Sequence, residues 1–468
     1  MTATRNTLAR SPDPARESPR RGLLVTMCVG MFLVLLDVTA VNVALPSIRH
    51  DLGASVSGLQ WVVDGYAVAI ASLLLFGGTV GDRIGHKRVV IVGLAVFGAA
   101  SVAIAMAANP AALVGGRVVQ GVGAALLLPG TLAVISGAYP RRAAQARAIG
   151  AWAAISSLAL PVGPLLGGAL TTVSWRLIFW VNVPVVVVAL IGVAAFVPGE
   201  RPGRERFDLA GLAGVTVALA AIVFGIIELG RDGIAPVVIA AFVVAAAAIV
   251  ATAFIEHRAT NPMLPPDLVA RREFLGPNAV ALTMNFVFNG TLFITTLYLQ
   301  AIRGHGPFVA GALVLPLAVP LVVLAPVTSR MTGRWGPRRP VAIGCLIAMF
   351  GAAALVLTRR DGTLWPLEIG MLLLGSGAGL VTASVVAAAV RAVPGERSGF
   401  ASGVNNAARQ TGTALGVATY GAIAGSPSQA ERFVGAYSHL AVASCVLWVC
   451  AATVAALTIA GRPSHDGA

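Results

Sequence analysis

Long apolar runs separated by short polar segments dominate the chain from residue 22 onward. A helix needs about 20 residues to cross a hydrocarbon core about 30 Å thick, and many runs reach or approach that length. The pattern therefore predicts an all-α polytopic membrane protein with fourteen spans. The predicted spans are 22–45, 59–80, 89–108, 111–137, 148–171, 176–197, 208–229, 234–255, 276–300, 308–329, 340–358, 364–390, 400–422 and 437–460.

Composition agrees with this pattern. Hydrophobic residues make up 57% of the chain, charged residues make up 11%, and the mean hydropathy is +0.85, whereas a soluble domain has about 25% charged residues. The net charge of +14 is spread over short clusters between the apolar runs, so it does not form the basic face or arm of a nucleic-acid-binding protein. We therefore expect the lipid bilayer, and no nucleic acid, as a partner.

Basic residues indicate the orientation. When fourteen spans alternate across the membrane, most of the 33 Lys and Arg residues fall on the same side as the two termini. Because Lys and Arg accumulate in cytoplasmic loops, both termini are expected to be cytoplasmic and the protein to lie in the plasma membrane. The Pro/Arg/Ser-rich segment 1–21 is expected to be a disordered tail, and 462–468 a second cytoplasmic tail.

A weak internal repeat indicates two halves. Residues 81–88, after the second predicted span, resemble residues 332–339, after the tenth, with an offset of 251 residues. Weak symmetry of this kind is typical of secondary transporters, although two unrelated basic turns would give a similar match. The expected organisation is a six-helix bundle at 22–200, two intervening transmembrane helices at 201–258, a cytoplasmic linker at 259–275 and a second six-helix bundle at 276–461.

Charged side chains inside the apolar runs are the first candidates for chemistry, because a charge at the bilayer centre costs roughly 2.5–3.5 kcal/mol. Asp37 lies about 12 Å before the end of the first span and Arg117 about 9 Å after the start of the fourth, so we expect them to pair at a similar depth. Burial favours the neutral carboxyl and a guanidinium favours the charged one. The pair would then exchange a proton as the conformation changes, or it is a static structural ion pair.

Other polar residues inside the runs are candidates for a substrate cavity, since intramembrane polar groups face a cavity or a partner helix. Asp64 and Glu368 can also be interpreted as acids at the membrane interface. The polar stretch around Arg409 can also be interpreted as packing between the halves. The candidates are Asn42, Asp64, Gln120, Asn285, Asn289, Glu368, Asn405 and Arg409.

Two glycine-containing motifs suggest mechanical roles. In the first, two glycines permit a tight turn, and a carboxylate is available to basic side chains or to a helix N-terminus. It comprises Gly81, Asp82, Arg83, Gly85, Lys87 and Arg88. In the second, three glycines form a small-residue face, and a proline bends the helix. It comprises Gly163, Pro164, Gly167 and Gly168. The first motif can also be interpreted as a basic turn that only sets orientation, and the second as ordinary helix packing.

These two motifs, with residues 117–124 and 37–46, resemble in order four motifs of the major facilitator superfamily. Within it, the chain resembles the fourteen-span drug:proton antiporters of the EmrB/QacA type, over nearly its whole length. The resemblance implies that the loop at 81–88 latches one half against the other on the cytoplasmic side, and it associates the motif at 163–168 with antiport. Gly333 stands where the second copy of the loop would carry its carboxylate, so the latch is expected in the first half only.

The expected function is proton-coupled efflux of small amphipathic molecules, such as drugs or antibiotics, by alternating access. Protons and the exported molecule are the expected partners of a secondary active transporter that is not an enzyme, works as a monomer and uses no cofactor or metal. Export of an endogenous metabolite, siderophore or amino acid is the alternative. A different class is a non-transporting scaffold or a membrane-embedded enzyme, but the sequence contains no P-loop and no histidine pair with metal-ligand spacing.

Overall fold

Two helices of the first half begin directly after a residue whose side chain caps them. The computed structural model describes residues 14–139, 142–199, 209–258, 271–393 and 398–460. The helices of the first half are α1 (Pro14–Leu52), α2 (Val56–Ile84), α3 (His86–Ala105), α4 (Pro110–Ala138), α5 (Arg142–Ser157), α6 (Ala159–Thr171), α7 (Leu177–Trp180) and α8 (Asn182–Phe196). Ser55 caps α2 by accepting from the Gly58 N–H at 3.1 Å, and Asn109 caps α4 through the Ala112 N–H at 2.9 Å, as side-chain oxygens do at helix starts.

Two helices separate the halves, and the second half follows the order of the first. The intervening helices are α9 (Leu209–Asp232) and α10 (Pro236–Arg258). The second half consists of α11 (Arg272–Leu297), a π-helix (Tyr298–Ile302), α12 (Pro307–Leu313), α13 (Leu315–Val323), α14 (Ala325–Trp335), α15 (Arg338–Leu355), α16 (Trp365–Arg391), α17 (Ser398–Ala424) and α18 (Ala430–Thr458).

The internal repeat extends well beyond the two loops that indicated it. Gly53 and Gly85, which have φ of 64° and 93°, stand 251 residues before Gly304 and Gly336, which have φ of 69° and 76°. Glycine adopts this left-handed backbone at little cost, so the same residue type ends the matching helix in each half. At this offset α2 corresponds to α12, α13 and α14 together, where Pro residues near the helix starts break one long helix into three.

Helix length and hydropathy do not support the predicted fourteen spans. In the described parts of the chain, twelve helices are long and apolar enough to cross a membrane, or thirteen if α13 and α14, bent by 48°, count as one span. The predicted run at 400–422 is helical, as α17, but its polar side chains lower its hydropathy below that of a lipid-facing helix. These side chains include Asn405, Asn406, Arg409 and Gln410.

The predicted domain boundaries can be compared with the helices only in part. The first helix starts at Pro14, so residues 14–21 are helical where a disordered tail was expected. Residues 1–13, the interdomain segments 200–208 and 259–270, and the tail 461–468 lie outside the described residues. The division into 22–200, 201–258, 259–275 and 276–461 therefore stays a prediction.

Glycines bring neighbouring helices of the first half unusually close together. A Cβ added at Gly121 of α4 would lie 2.7 Å from the Tyr66 carbonyl oxygen of α2. A Cβ at Gly123 would lie 2.7 Å from the backbone nitrogen of Phe97 in α3. Close backbone approach at small residues is the usual way in which helices pack in lipid, and here it holds α4 against two neighbours.

The two halves meet along α2 with α17 and along α6 with α12. We call the side that carries the α1–α2 turn at Gly53 the loop-one side, and the side that carries Gly85 the loop-two side. Among the described residues, three hydrogen bonds join the halves near the loop-one side. They run from Gln60 Nε2 to Ala418 O at 2.8 Å, from Gln300 Nε2 to Val43 O at 2.7 Å and from Arg49 Nη2 to Ser426 Oγ at 3.3 Å.

Candidate functional site

Asp37 and Arg117 meet in the interior of the first half. Arg117 Nη1 on α4 donates to a carboxylate oxygen of Asp37 on α1. Each residue is 1% exposed, so the ion pair is shielded by protein on all sides. The predicted contact is therefore present, and the role of the pair in proton coupling stays a prediction.

Three further side chains complete a polar network around the carboxylate. The second oxygen of Asp37 accepts from Gln120 Nε2 at 3.1 Å and from Asn182 Nδ2 at 3.2 Å. Both amides also donate to Ser101 Oγ, at 3.0 and 3.3 Å, and Ser101 donates to Phe97 O at 2.8 Å. The carboxylate thus has donors on both oxygens, which is how a buried charge is tolerated.

The guanidinium of Arg117 makes further contacts besides the one with Asp37. Its Nε donates to Val62 O on α2 at 2.9 Å, and Nη1 donates to Gln120 Oε1 at 2.6 Å. Its Cζ lies 4.2 Å from the ring centroid of Tyr66, within the range of a cation–π contact. Helices α1, α2, α3, α4 and α8 therefore converge on one charged site.

Tyr66, Ser101 and Asn182 were not predicted as site residues. Ser101 and Asn182 are each a lone polar side chain inside an apolar run, which is the signal that points to an intramembrane partner. Gln120 was predicted to line a substrate cavity, but it is fully buried and bridges Asp37 and Arg117. The structure therefore places Gln120 in the ion-pair network.

Asp64 lies apart from this network and has a different environment. It is 0% exposed, and both of its carboxylate oxygens are buried without a hydrogen-bond partner among the described residues. Residues three, four and seven positions away share its helix face, and these, Ala67, Val68 and Ala71, pack against α9 and α17. Asp64 is thus a carboxyl group enclosed at the seam between the halves.

Three polar candidates of the second half, Asn285, Asn289 and Asn405, lie on α11 and α17. Asn405 Nδ2 donates to Asn278 Oδ1 at 3.0 Å, and Asn289 Nδ2 donates to Thr413 Oγ1 at 3.0 Å. Asn285 Nδ2 donates to a carbonyl of its own helix. Because α11 and α17 both belong to the second half, these contacts are packing within that half and do not test the predicted packing between the halves.

Three candidates have a buried side-chain atom without a hydrogen-bond partner among the described residues. Arg409 is half-buried, and its Nε has no hydrogen-bond partner among the described residues. Asn42 donates to Val38 O at 2.7 Å, while its Oδ1 is buried and unpartnered within the same residues. Glu368 is half-buried in the first turn of α16. The structure does not bring these three together with Asp37.

The loop motif at 81–88 forms the turn between α2 and α3. Gly85, with φ of 93°, ends α2 and begins α3. Lys87 Nζ donates to Val197 O at 2.6 Å, at the end of α8, where unpaired helix carbonyls attract a cation. The side chain of Asp82 lies outside the described part of the structure, so the predicted latch stays a prediction.

The glycine motif of α6 faces two partners at once. A Cβ at Gly167 would lie 2.7 Å from Ala40 Cα in α1, and a Cβ at Gly168 would lie 2.8 Å from Phe308 Cα in α12. Gly163 faces Thr39, whose hydroxyl lies 3.3 Å from Ala159 O of α6. The motif therefore joins the first half to the second beside the stretch that carries Asp37.

Two repeated helical bundles that meet at a seam, with an ion pair buried in one of them, are typical of a polytopic membrane transporter. Residues 27–417 match the model of the Major Facilitator Superfamily, and the chain belongs to this family. It is accordingly a multi-pass membrane protein and a transporter, not an enzyme.

Known proteins resemble the chain over most of its length. The multidrug resistance protein Stp of Mycobacterium tuberculosis (strain CDC 1551 / Oshkosh) is 34% identical over 403 residues, which cover 86% of this chain and 75% of Stp. The methylenomycin A resistance protein of Streptomyces coelicolor is 33% identical over 437 residues, which cover 93% and 92% of the two chains. The structure of the human organic anion transporter MFSD10 (TETRAN) superposes with a TM-score of 0.67 at 15% identity, covering 93% and 99%, and supports the fold.

Proposed function

We propose that the protein exports small amphipathic molecules, such as drugs or antibiotics, across the plasma membrane in exchange for protons. Relatives named for multidrug resistance and for methylenomycin A resistance support the class of substrate. The observation that carries proton coupling is the buried network of Asp37, Arg117 and Gln120. A titratable acid that is held by a cation in the membrane interior is a typical proton site of a transporter.

Proton binding at Asp37 would weaken the attraction between α1 and α4. A proton that arrives from outside adds to the carboxylate, which becomes a neutral acid and loses its charge attraction to Arg117. Arg117 keeps its contacts with Val62 O and Gln120 Oε1, so the cation does not become fully unpaired. The helices that meet at the site are then free to shift. When Asp37 and Arg117 pair again, the carboxyl releases its proton to the cytoplasmic side.

Asp64 is proposed as a second proton-binding group. An ionised carboxylate that is buried without a partner is strongly unfavourable, so the carboxyl is expected to be protonated while α2, α9 and α17 enclose it. Opening of the seam would expose it to water and release the proton. This places one titratable group inside the first half and one at the seam that has to move.

The two glycine motifs are proposed to control the conformational change. Contacts of Gly167 with Ala40 and of Gly168 with Phe308 support a role for α6 in sealing the loop-one side, which we assign to the outside. The turn at Gly85 and the contact of Lys87 with α8 support the loop-two turn as the site of the latch.

The internal repeat supports the assignment of the chain to one subfamily of the superfamily. We place the chain among the fourteen-span EmrB/QacA-type antiporters, because α17 corresponds at the 251-residue offset to α5 and α6 of the first half. Its 27 residues give a length of about 40 Å, enough to cross the bilayer, and two of its polar residues, Asn405 and Thr413, bond to Asn278 and Asn289 of α11. Both termini are then cytoplasmic, and one chain contains a complete transport unit.

The proposal is tested by transport in proteoliposomes against a panel of lipophilic drugs, with and without a pH gradient. Saturable uptake that depends on the gradient is expected for the natural chain and for Asp232→Asn, which changes an exposed acid. Asp64→Asn is expected to keep substrate counterflow, which needs no net proton movement, and to lose gradient-driven accumulation. Gradient-independent flux for every compound, or full gradient-driven accumulation by both Asp37→Asn and Asp64→Asn, would contradict proton coupling through these residues.

A further inference from the structure

A cavity of about 480 Å³ lies between the two halves on the loop-one side. The end of α1 contributes Arg49 and His50, and the second half contributes Gln300 and His305. No acidic residue is among the described residues that line it. Three side chains that carry or can acquire positive charge thus converge on one space from both sides of the seam.

The second half is built differently from the first at this position. The last turn before Gly304 is a π-helix, Tyr298–Ile302, whereas α1 continues as a regular α-helix to Leu52. π-helical turns occur frequently at functional sites, and this one places Gln300 and Ala301 on the cavity wall.

The position of His305 follows from the way in which this helix ends. Gly304 has φ of 69°, and the His305 N–H donates to Leu299 O at 3.0 Å. This hydrogen bond spans one residue more than the 6→1 bond of a Schellman turn, and it folds the chain back over the helix end. The imidazole then reaches the cavity, with its Nε2 buried and without a hydrogen-bond partner among the described residues.

Arg49 has capacity to bind a ligand in the same cavity. Its Nη2 lies 3.3 Å from Ser426 Oγ, a neutral hydroxyl, and a guanidinium has five N–H donors. Nε2 of His305 and the guanidinium of Arg49 can both donate hydrogen bonds to the same kind of ligand atom, an oxygen that carries negative charge.

We propose that this cavity binds an oxyanion, such as a phosphate group, that bridges Arg49 and His50 of the first half and His305 of the second. Charge-assisted hydrogen bonds from both halves would hold the loop-one side closed while the anion is bound. The phosphate group can belong to the free ion or to a lipid headgroup, since both offer the same oxygens.

The proposal is tested by thermal unfolding of the full chain in detergent while inorganic phosphate is titrated at constant ionic strength. A saturable rise of the unfolding midpoint is expected for the natural chain. His305→Gln and Arg49→Gln are each expected to weaken the apparent affinity about 10-fold, as the loss of one charge-assisted hydrogen bond would. Arg432→Gln is the matched control, because Arg432 is exposed and contacts Gln429, and it is expected to leave the affinity unchanged.

The source of the phosphate group is distinguished by repeating the titration in nanodiscs. Loss of the phosphate response in phosphatidylglycerol, with retention in phosphatidylcholine, would identify the lipid headgroup as occupant, and retention in both would identify the free ion. No saturable response of the natural chain in detergent and phosphatidylcholine, or an unchanged response of both cavity variants, would overturn the site. Binding is measured without transport, so this result is independent of the transport test.

Discussion

At the residue scale, Asp37 has a donor for each carboxylate oxygen, from Arg117 on one and from the amides of Gln120 and Asn182 on the other. The contact with Arg117 was predictable, because depth in the membrane can be counted along two helices at 1.5 Å per residue. The amide contacts were not predictable, because they depend on how each helix is rotated about its axis.

The first prediction concerns the coupling of this ion pair. Asp37→Asn leaves the Arg117 guanidinium as a buried cation without its counter-charge, and breaking a buried pair in this way costs about 3–5 kcal/mol. Adding Arg117→Met removes the unpaired charge, so the double variant is expected to be more stable than Asp37→Asn alone. The measurement is the thermal unfolding midpoint in detergent of both single variants and the double variant.

Asp232→Asn, which changes an exposed acid at the end of α9, is the control and is expected to leave the midpoint unchanged. If the falls in unfolding midpoint of the two single variants add up in the double variant, Asp37 and Arg117 contribute to stability independently, contrary to the contact in the structure.

At the scale of elements, the close contacts of α6 explain why glycine recurs within it. Gly163 and Gly167 lie four residues apart and face α1, while Gly168 faces α12. The spacing predicted a small-residue face, since residues four apart share one side of a helix. It did not predict that α6 would contact both halves, because the partner of a helix face is not encoded within the helix.

The second prediction tests this packing with a single methyl group. Gly167→Ala places a Cβ 2.7 Å from the backbone of Ala40, which cannot yield as a flexible side chain would. We expect a loss of about 1–3 kcal/mol, as for overpacked cores, with a matching fall in transport. The measurement is the unfolding midpoint together with the transport rate at saturating substrate.

The matched control is Gly115→Ala in α4, where an added Cβ meets nothing within 4 Å. It is expected to leave stability unchanged or slightly higher, because alanine is the better helix former. Equal unfolding midpoints and transport rates of the two variants would mean that α6 and α1 pack less closely than in the structure.

At the scale of the whole molecule, the two halves share their backbone but not their chemistry. Five residues form the polar network around Asp37, and four of their counterparts 251 positions later are apolar and buried. The fifth counterpart, that of Arg117, is Glu368. Asp37, Gln120, Ser101 and Asn182 correspond to Phe288, Met371, Ala352 and Phe433. Among the described residues, the buried ion pair therefore belongs to the first half alone.

The third prediction concerns the path of α17. If α17 crosses the bilayer, residues before and after it lie on opposite sides. In a chain without its four cysteines, Arg391→Cys and Ser428→Cys are then labelled by an impermeant maleimide from opposite faces of the membrane. Both positions are exposed in the structure, so the reagent can reach them.

Asp232→Cys is the topological control, because Gly230 contacts Ala422 near the end of α17. It is expected to share its side with position 428. Labelling of positions 391 and 428 from the same face would mean that α17 does not cross, and would remove the fourteenth span.

Local patterns were enough to establish an all-helical membrane protein, its duplication, its turn glycines and the pairing of Asp37 with Arg117. Each of these depends on hydropathy, backbone freedom or depth along one helix, and such properties are carried by short stretches of chain. The count of fourteen spans was not supported, because hydropathy does not distinguish a polar side chain that faces lipid from one, such as Asn405, that is buried against α11. Packing between distant segments decided which polar groups surround Asp37, enclosed Asp64 without a partner and joined Arg49 and His305 across one cavity.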